Sequence, residues 1–172
     1  TSHFETNSPY SASKAASDCF VRAFHKTYDV PTIITNCSNN YGPRQHKEKF
    51  IPTIINSIIK GKKIPVYGDG LNVRDWLYVE DHCDAINVIL EHGVPGERYN
   101  IGGGEELANI DLVKMLLHLL GRSDDLISYV EDRPGHDLRY SIDCSKISSI
   151  GYRPQHTLAQ GLEHTIEWYK KQ

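Results

Sequence analysis

The chain has 172 residues, 39% apolar and 24% charged, with a formal net charge of -3 at pH 7. Such a composition supports a packed core in one sizeable domain or two small ones. The slight acidity gives no electrostatic reason to expect nucleic acid or an anionic membrane as a partner.

Cys19, Cys37, Cys83 and Cys144 are scattered and form no CxxC pair, and three of them sit in apolar runs where cysteine acts as a small hydrophobe. No disulfide framework is expected, and a reducing cytoplasm fits. No stretch reads as a signal peptide or a membrane span. None of the nine histidines falls in HExxH or a comparable spacing, so no metal site is expected.

Taken in order, the segment from Pro9 to about Asp29 places Ala12, Ala15, Ala16, Cys19, Phe20, Ala23 and Phe24 at helical spacing, with Ser8 as N-cap and Pro9 in the first turn. TIITNCSN is a β-branched strand and NNYGPRQ a loop. IPTIINSIIK is a helix stopped by Gly61. IPVYG is a strand followed by an Asp-Gly turn, and Val73–Val79 is extended. Glu80–Glu91 is helical, and ERYNIGGG is a strand running into a glycine turn whose spacing is not that of a dinucleotide-binding loop. Asn109 opens the helix LVKMLLHLLG, ISYVED is a strand, RPGHD a loop, and TLAQGLEHTIEWYKK a final amphipathic helix. This alternation predicts an α/β architecture with parallel strands.

The stretch NSPYSASKAASD places Tyr10 and Lys14 four apart, on one face of the first helix. A phenol becomes a base near neutral pH only if roughly 4 kcal/mol favours its anion. One positive charge about 4 Å away, at an effective dielectric near 20, supplies on the order of that amount. Such a pair suits proton removal from an alcohol that loses a hydride to a nicotinamide. The small residues around it, Ser11, Ala12, Ser13, Ala15 and Ala16, permit close approach of a cofactor or a helix.

With PYSASK, NCSNNYGP, VYGDGLNVRDWLYVEDH, YNIGGGEELANID and RPGHDLRY in this order, the chain resembles the extended short-chain dehydrogenase/reductase superfamily and, within it, the dTDP-glucose 4,6-dehydratase family. The resemblance runs from about His3 to the last helix. It implies the C-terminal part of a Rossmann-type doubly wound sheet, residues 1–45 and 73–103, plus a smaller mixed α/β nucleotide-sugar-binding domain, residues 46–72 and 104–172. In that family the Tyr-Lys pair falls midway along the chain, after a glycine-rich half and a Thr-Asp-Glu segment. Neither is among these residues, so the sequence looks like the C-terminal half of such an enzyme.

The implied activity is conversion of dTDP-glucose to dTDP-4-keto-6-deoxyglucose by NAD-mediated oxidation at C4, loss of water and hydride return to C6. A 4-epimerase, a UDP-glucuronate decarboxylase and a non-catalytic nucleotide-sugar-binding module are the alternatives. By resemblance, Tyr10 takes the C4 hydroxyl proton, and Lys14 assists it and holds the nicotinamide ribose. Asn40 lies beside the nicotinamide and Asn39 contacts the sugar nucleotide, although Asn-Asn-Tyr-Gly is also a plain turn. Glu48, Lys49, Phe50 and Pro52 match a segment closing over the nucleotide. Pro65, Val66 and Tyr67 match a strand embracing the base, with core packing as the other use of Tyr67. Arg74 and Arg133 match diphosphate-binding arginines, a role suited to a planar fork, unless Arg74 only pairs with Asp75 at the surface. Asn109 and His136 complete the substrate set, Asn109 doubling as a helix cap. The helix bearing Tyr10 and Lys14 is expected to join two copies in a homodimer.

Overall fold

The computed structural model describes residues 6, 8–132 and 135–172. The first helix, α1 (Pro9–Tyr28), starts where expected: the Ser8 side chain accepts from the Ser11 N–H while Ser11 reaches back to the Ser8 backbone. Asp29 ends it in the left-handed conformation. The chain then enters β1 (Ile34–Cys37) and, after Ser38, β2 (Asn39–Tyr41). Helix α2 (Phe50–Ile59), strands β3 (Ile64–Tyr67) and β4 (Val73–Tyr78), and helix α3 (Val79–His92) follow. Strands β5 (Arg98–Ile101) and β6 (Glu106–Ala108) lead into α4 (Asn109–Leu119). The chain closes with β7 (Ile127–Val130), β8 (Arg139–Tyr140), α5 (Ser145–Ser149) and α6 (Leu158–Lys170).

Three sheets result. β1 pairs with β5 and β3 with β7, both parallel. β4 lies between β2 and β6, parallel to the first and antiparallel to the second, and also pairs with β8. Side chains alternate across a strand, so β4 feeds two cores. Trp76 and Tyr78 join a large core with Ile51, Ile54, Ile55 and Ile58 of α2, Leu112, Val113, Leu116 and Leu117 of α4, and Leu158, Leu162 and Ile166 of α6. The spacing 51, 54, 55, 58 is one helical face, and each such isoleucine contributes about 1.5–3 kcal/mol relative to exposure. Leu77 turns the other way, into a second core with Ala85, Ile89, Tyr99, Ile101, Ile147 and Tyr152.

Two buried carboxylates flank this hydrophobic run. Asp75, 3% exposed, accepts the Gly103 N–H at 3.1 Å and the Glu105 N–H at 3.2 Å. Asp81, 1% exposed, accepts the Gln155 N–H at 3.2 Å, the His156 N–H at 3.1 Å and His156 Nδ1 at 2.8 Å. The glycine turn after β5 thus wraps a carboxylate. A Cβ on Gly103 would collide with the Trp76 carbonyl, which is why this turn lacks side chains. At the start of α6, Glu105 Oε1 accepts the Leu158 N–H at 3.1 Å and Thr157 forms a capping box with Gln160.

Several expectations need correction. Asn39–Tyr41 is a strand, not a loop, because pairing with Trp76–Tyr78 and burial of Tyr41 override its turn-like composition. β6 and β8, three and two residues long, are too short to show a period. Cys19, Cys37 and Cys83 are exposed rather than packed, and all four cysteines are free thiols. Among the described residues no helix is long and apolar enough to cross a membrane.

Replacing Asp81 by Ala leaves three donors without an acceptor, and should destabilise the fold by about 3 kcal/mol, roughly 6–12 °C in Tm by thermal denaturation. A second expectation concerns acid. Arg139 grips Glu106 at both oxygens, 2.7 Å each, and Ser141 adds a third bond at 2.7 Å. The hydrogen bonds from Arg139, then that from Ser141, pull the Glu106 carboxyl down to about 2. Its contribution is therefore complete above the ordinary carboxyl value and is lost as pH falls towards about 2. Melting curves of the protein and of Glu106→Gln should be separated above about pH 5 and merge towards pH 2; curves that coincide at every pH would refute this.

Candidate active site

The capping box at Ser8 sets where α1 begins, and so places Tyr10 in its first turn and Lys14 one turn on. Tyr10 is 74% exposed and Lys14 is exposed. Neither side chain makes a hydrogen bond or ion pair among the described residues; the Tyr10 carbonyl accepts from Ser13 Oγ at 2.7 Å.

At Ser38 the chain leaves the β1–β5 sheet, where the Ser38 N–H still bonds the Ile101 carbonyl at 2.9 Å, and enters the β2–β4 sheet. A change of sheet beyond the carboxyl ends of parallel strands is where α/β folds place ligands. Asn40 sits just past it. Its Nδ2 donates to the Ser38 carbonyl at 3.1 Å and contacts Cys37 Sγ at 3.2 Å, which orients the side chain. Gln45 Nε2 donates to the Asn40 carbonyl at 2.7 Å. Asn40 Oδ1 is buried with no partner among the described residues. Asn39, exposed, lies opposite Trp76 in the sheet, and Trp76 stacks on Phe50 with centroids 5.9 Å apart.

The 48–52 segment divides. Lys49 takes the N-cap position of α2 with no side-chain cap bond, and exposed Glu48 lies 4.0 Å from His46. Phe50 is half-buried, while Pro52 is buried on the core face of α2. The 65–67 segment alternates likewise: Val66 is core, Pro65 is exposed, and Tyr67 is 40% exposed, so core packing does not account for Tyr67.

A second group converges around Asn72, a residue without any periodic signal. Its carbonyl accepts the Asn109 N–H at 3.0 Å, and its Nδ2 donates to the Asp137 carbonyl at 3.2 Å. Arg74 Nη2 donates to that same carbonyl at 2.8 Å, and Nη1 to the Val73 carbonyl at 2.7 Å. Asp75 points into the interior, so the solvated Arg74–Asp75 pair does not form. The Ile110 N–H bonds the Gly70 carbonyl and the Gly70 N–H the Tyr67 carbonyl, tying the Tyr67 turn to the start of α4. His136, its side chain 6% exposed, is held by Asp132 at 2.7 Å. Asn109 is not a cap: Ala108 holds that position, and Asn109 Oδ1 is buried without a partner among the described residues. Arg133 lies outside the described residues.

The structure thus joins Arg74, Asn109 and the segment that follows His136 through the Asn72 carbonyl and side chain and the Asp137 carbonyl, and joins Asn39 to Phe50 through Trp76. It brings neither group into hydrogen-bond or ring contact with Tyr10 or Lys14. Around Tyr41, which reaches the Leu158 carbonyl at 3.3 Å, burial pushes the phenol up, as it does for Tyr152.

The profile described as GDP-mannose 4,6 dehydratase matches residues 1–165. The dTDP-glucose 4,6-dehydratase of Escherichia coli is 53% identical over 178 residues, covering 96% of this chain and 49% of that protein. The crystal structure of dTDP-glucose 4,6-dehydratase from Streptomyces venezuelae, with NAD bound, superposes with a TM-score of 0.96 at 50% identity, covering 99% of this chain and 53% of that one. UDP-glucose 4-epimerase of Thermotoga maritima, crystallised with UDP-glucose, gives a TM-score of 0.92 at 27% identity, over 97% and 55%. The chain spans about half the length of the relatives it matches. With its Tyr-Lys helix, its change of sheet at Ser38 and its arginine-bearing central strand, the chain belongs to the GDP-mannose 4,6 dehydratase family.

Proposed function

We propose that the chain carries the Tyr-Lys pair and the nucleotide-sugar site of an NAD-dependent hydro-lyase that converts dTDP-glucose to dTDP-4-keto-6-deoxyglucose. The observation that carries this is the identity of about one residue in two, along nearly the whole chain, to dTDP-glucose 4,6-dehydratases. The epimerase likeness is much weaker in sequence, and dehydration is the better supported reaction.

Tyr10 takes the proton of the sugar C4 hydroxyl, and the Lys14 ammonium favours the phenolate that does so. Both are open to solvent, so a substrate can reach them. Bound NAD supplies acceptance and return of a hydride. The partnerless Asn40 Oδ1 is an acceptor suited to a carboxamide, and Asn40 and Lys14 would hold the nicotinamide end. Arg74, with Arg133, takes the diphosphate. Tyr67 and Pro65 take the base beside Val66, and Asn39, Glu48, Lys49, Phe50, Pro52, Asn109 and His136 surround the rest of the nucleotide sugar. Residues 1–45 and 73–103 belong to the NAD-binding domain, and residues 46–72 and 104–172 to the nucleotide-sugar domain. The free thiols suit a reducing cytoplasm, where we place the protein.

A second copy covers α1. This 20-residue helix buries none of its residues, and Phe20, Phe24 and Tyr28, 67%, 52% and 69% exposed, repeat every four positions along it.

Calorimetric titration tests the site. dTDP should bind, Arg74→Ala should weaken it by about tenfold or more, and NAD+ should bind this chain at least about tenfold more weakly than dTDP, since no glycine-rich dinucleotide turn is in the sequence. No heat with dTDP would overturn the assignment. Sedimentation should find a dimer that Phe24→Glu weakens by about tenfold or more; a monomer at every concentration would remove the second copy.

A further inference from the structure

Every residue of the arm from Asp137 to Ser141, which contains β8, is exposed. All five residues of this arm except Ser141 and Asp137 could bury carbon surface, yet Leu138 is 71% and Tyr140 50% exposed. Its place against β4 rests on parallel pairing, Arg139 opposite Val73 and Tyr140 opposite Arg74, and on polar bonds beside it. The Val73 N–H reaches the Leu138 carbonyl at 2.7 Å, and Asn72 and Arg74 both reach the Asp137 carbonyl. A further attachment is to β6, where Glu106 takes Arg139 at both oxygens and Ser141 at one of them. A solvated ion pair is usually worth little, but this one is bidentate and carries a third donor.

We propose that Glu106 is a positioning residue for the diphosphate end of the site: it pins the 137–141 arm to β6 and so keeps the Asp137 carbonyl where it orients the Arg74 guanidinium. Arg74 is anchored on one side by its own strand and on the other by this carbonyl. If the arm shifts, Nη2 loses this acceptor and the fork loses one of the restraints that aim it at phosphate oxygens. Glu106 touches no substrate in this scheme; it acts through Arg139, the arm and Arg74. The proposal rests on the nucleotide-sugar reading of the site, and its test separates the two.

The test compares dTDP with thymidine, which lacks the diphosphate, by calorimetry on the full chain. Glu106→Gln and Arg139→Gln should each weaken dTDP by about five- to tenfold and leave thymidine affinity within about twofold. The exchange Glu106→Arg with Arg139→Glu should restore most of the dTDP affinity, because it rebuilds the cross-strand pair. Melting curves confirm that each variant is folded. dTDP affinity unchanged in Glu106→Gln, or equal losses for dTDP and thymidine, would overturn the positioning role while leaving the site itself standing. Failure of the unaltered chain to bind dTDP would instead bring down the site assignment, and this role with it.

Discussion

Two carboxylates that water cannot reach organise this chain. Asp75 and Asp81 bracket the hydrophobic run of β4 and the start of α3, and an interior anion must collect hydrogen bonds or cost several kcal/mol. Each collects them from distant backbone. Asp75 gathers the turn at 103–105 and Asp81 gathers the loop at 155–156. Once those segments are held, Glu105 is in place to receive the first amide of α6, and α6 lies against α2 and Tyr41. The central strand is therefore both a wall between two cores and a pair of polar hubs.

The same strand arranges the proposed binding residues. Arg74 and Trp76 lie two apart, hence on one side of β4, and Asn39 is paired in register with Trp76. Asn72, just before the strand, links the start of α4 to the arm that follows His136. Polar ligands of a nucleotide sugar can thus be presented from four separate segments, because hydrogen bonds among the segments hold them. The Tyr10–Lys14 pair is organised independently, by a local cap at the head of α1.

Much of the layout was legible in advance. The helices α1, α2, α3, α4 and α6 follow from apolar spacing and caps, and β1, β3, β4, β5 and β7 from β-branched runs bounded by glycine, proline or charge. Asn39–Tyr41 was misjudged because its residues favour turns, and only its partner strand makes it extended. Asn109 resembles a cap by type, yet the helix starts one residue earlier, so its amide is held by Asn72 and its side chain is left over. For the candidate site, the ordered motifs single out the residues proposed, whereas Asn72 and Glu106 carry no pattern that distinguishes them from other polar residues.

Local chemistry, then, was decided by the sequence itself: the capped helix that spaces a phenol and an ammonium one turn apart, the faces of the amphipathic helices, the alternation that makes an α/β fold. These depend on neighbours within a few positions, which the order of residues specifies directly. Tertiary structure decided which distant backbone each buried carboxylate receives, that Asp75 serves a turn some thirty residues away in place of its neighbour Arg74, and that Glu106 grips Arg139 and Ser141 of an exposed arm. Those outcomes depend on which segments meet once the cores close, and a buried charge or a bidentate pair takes whatever partner that closure brings within reach.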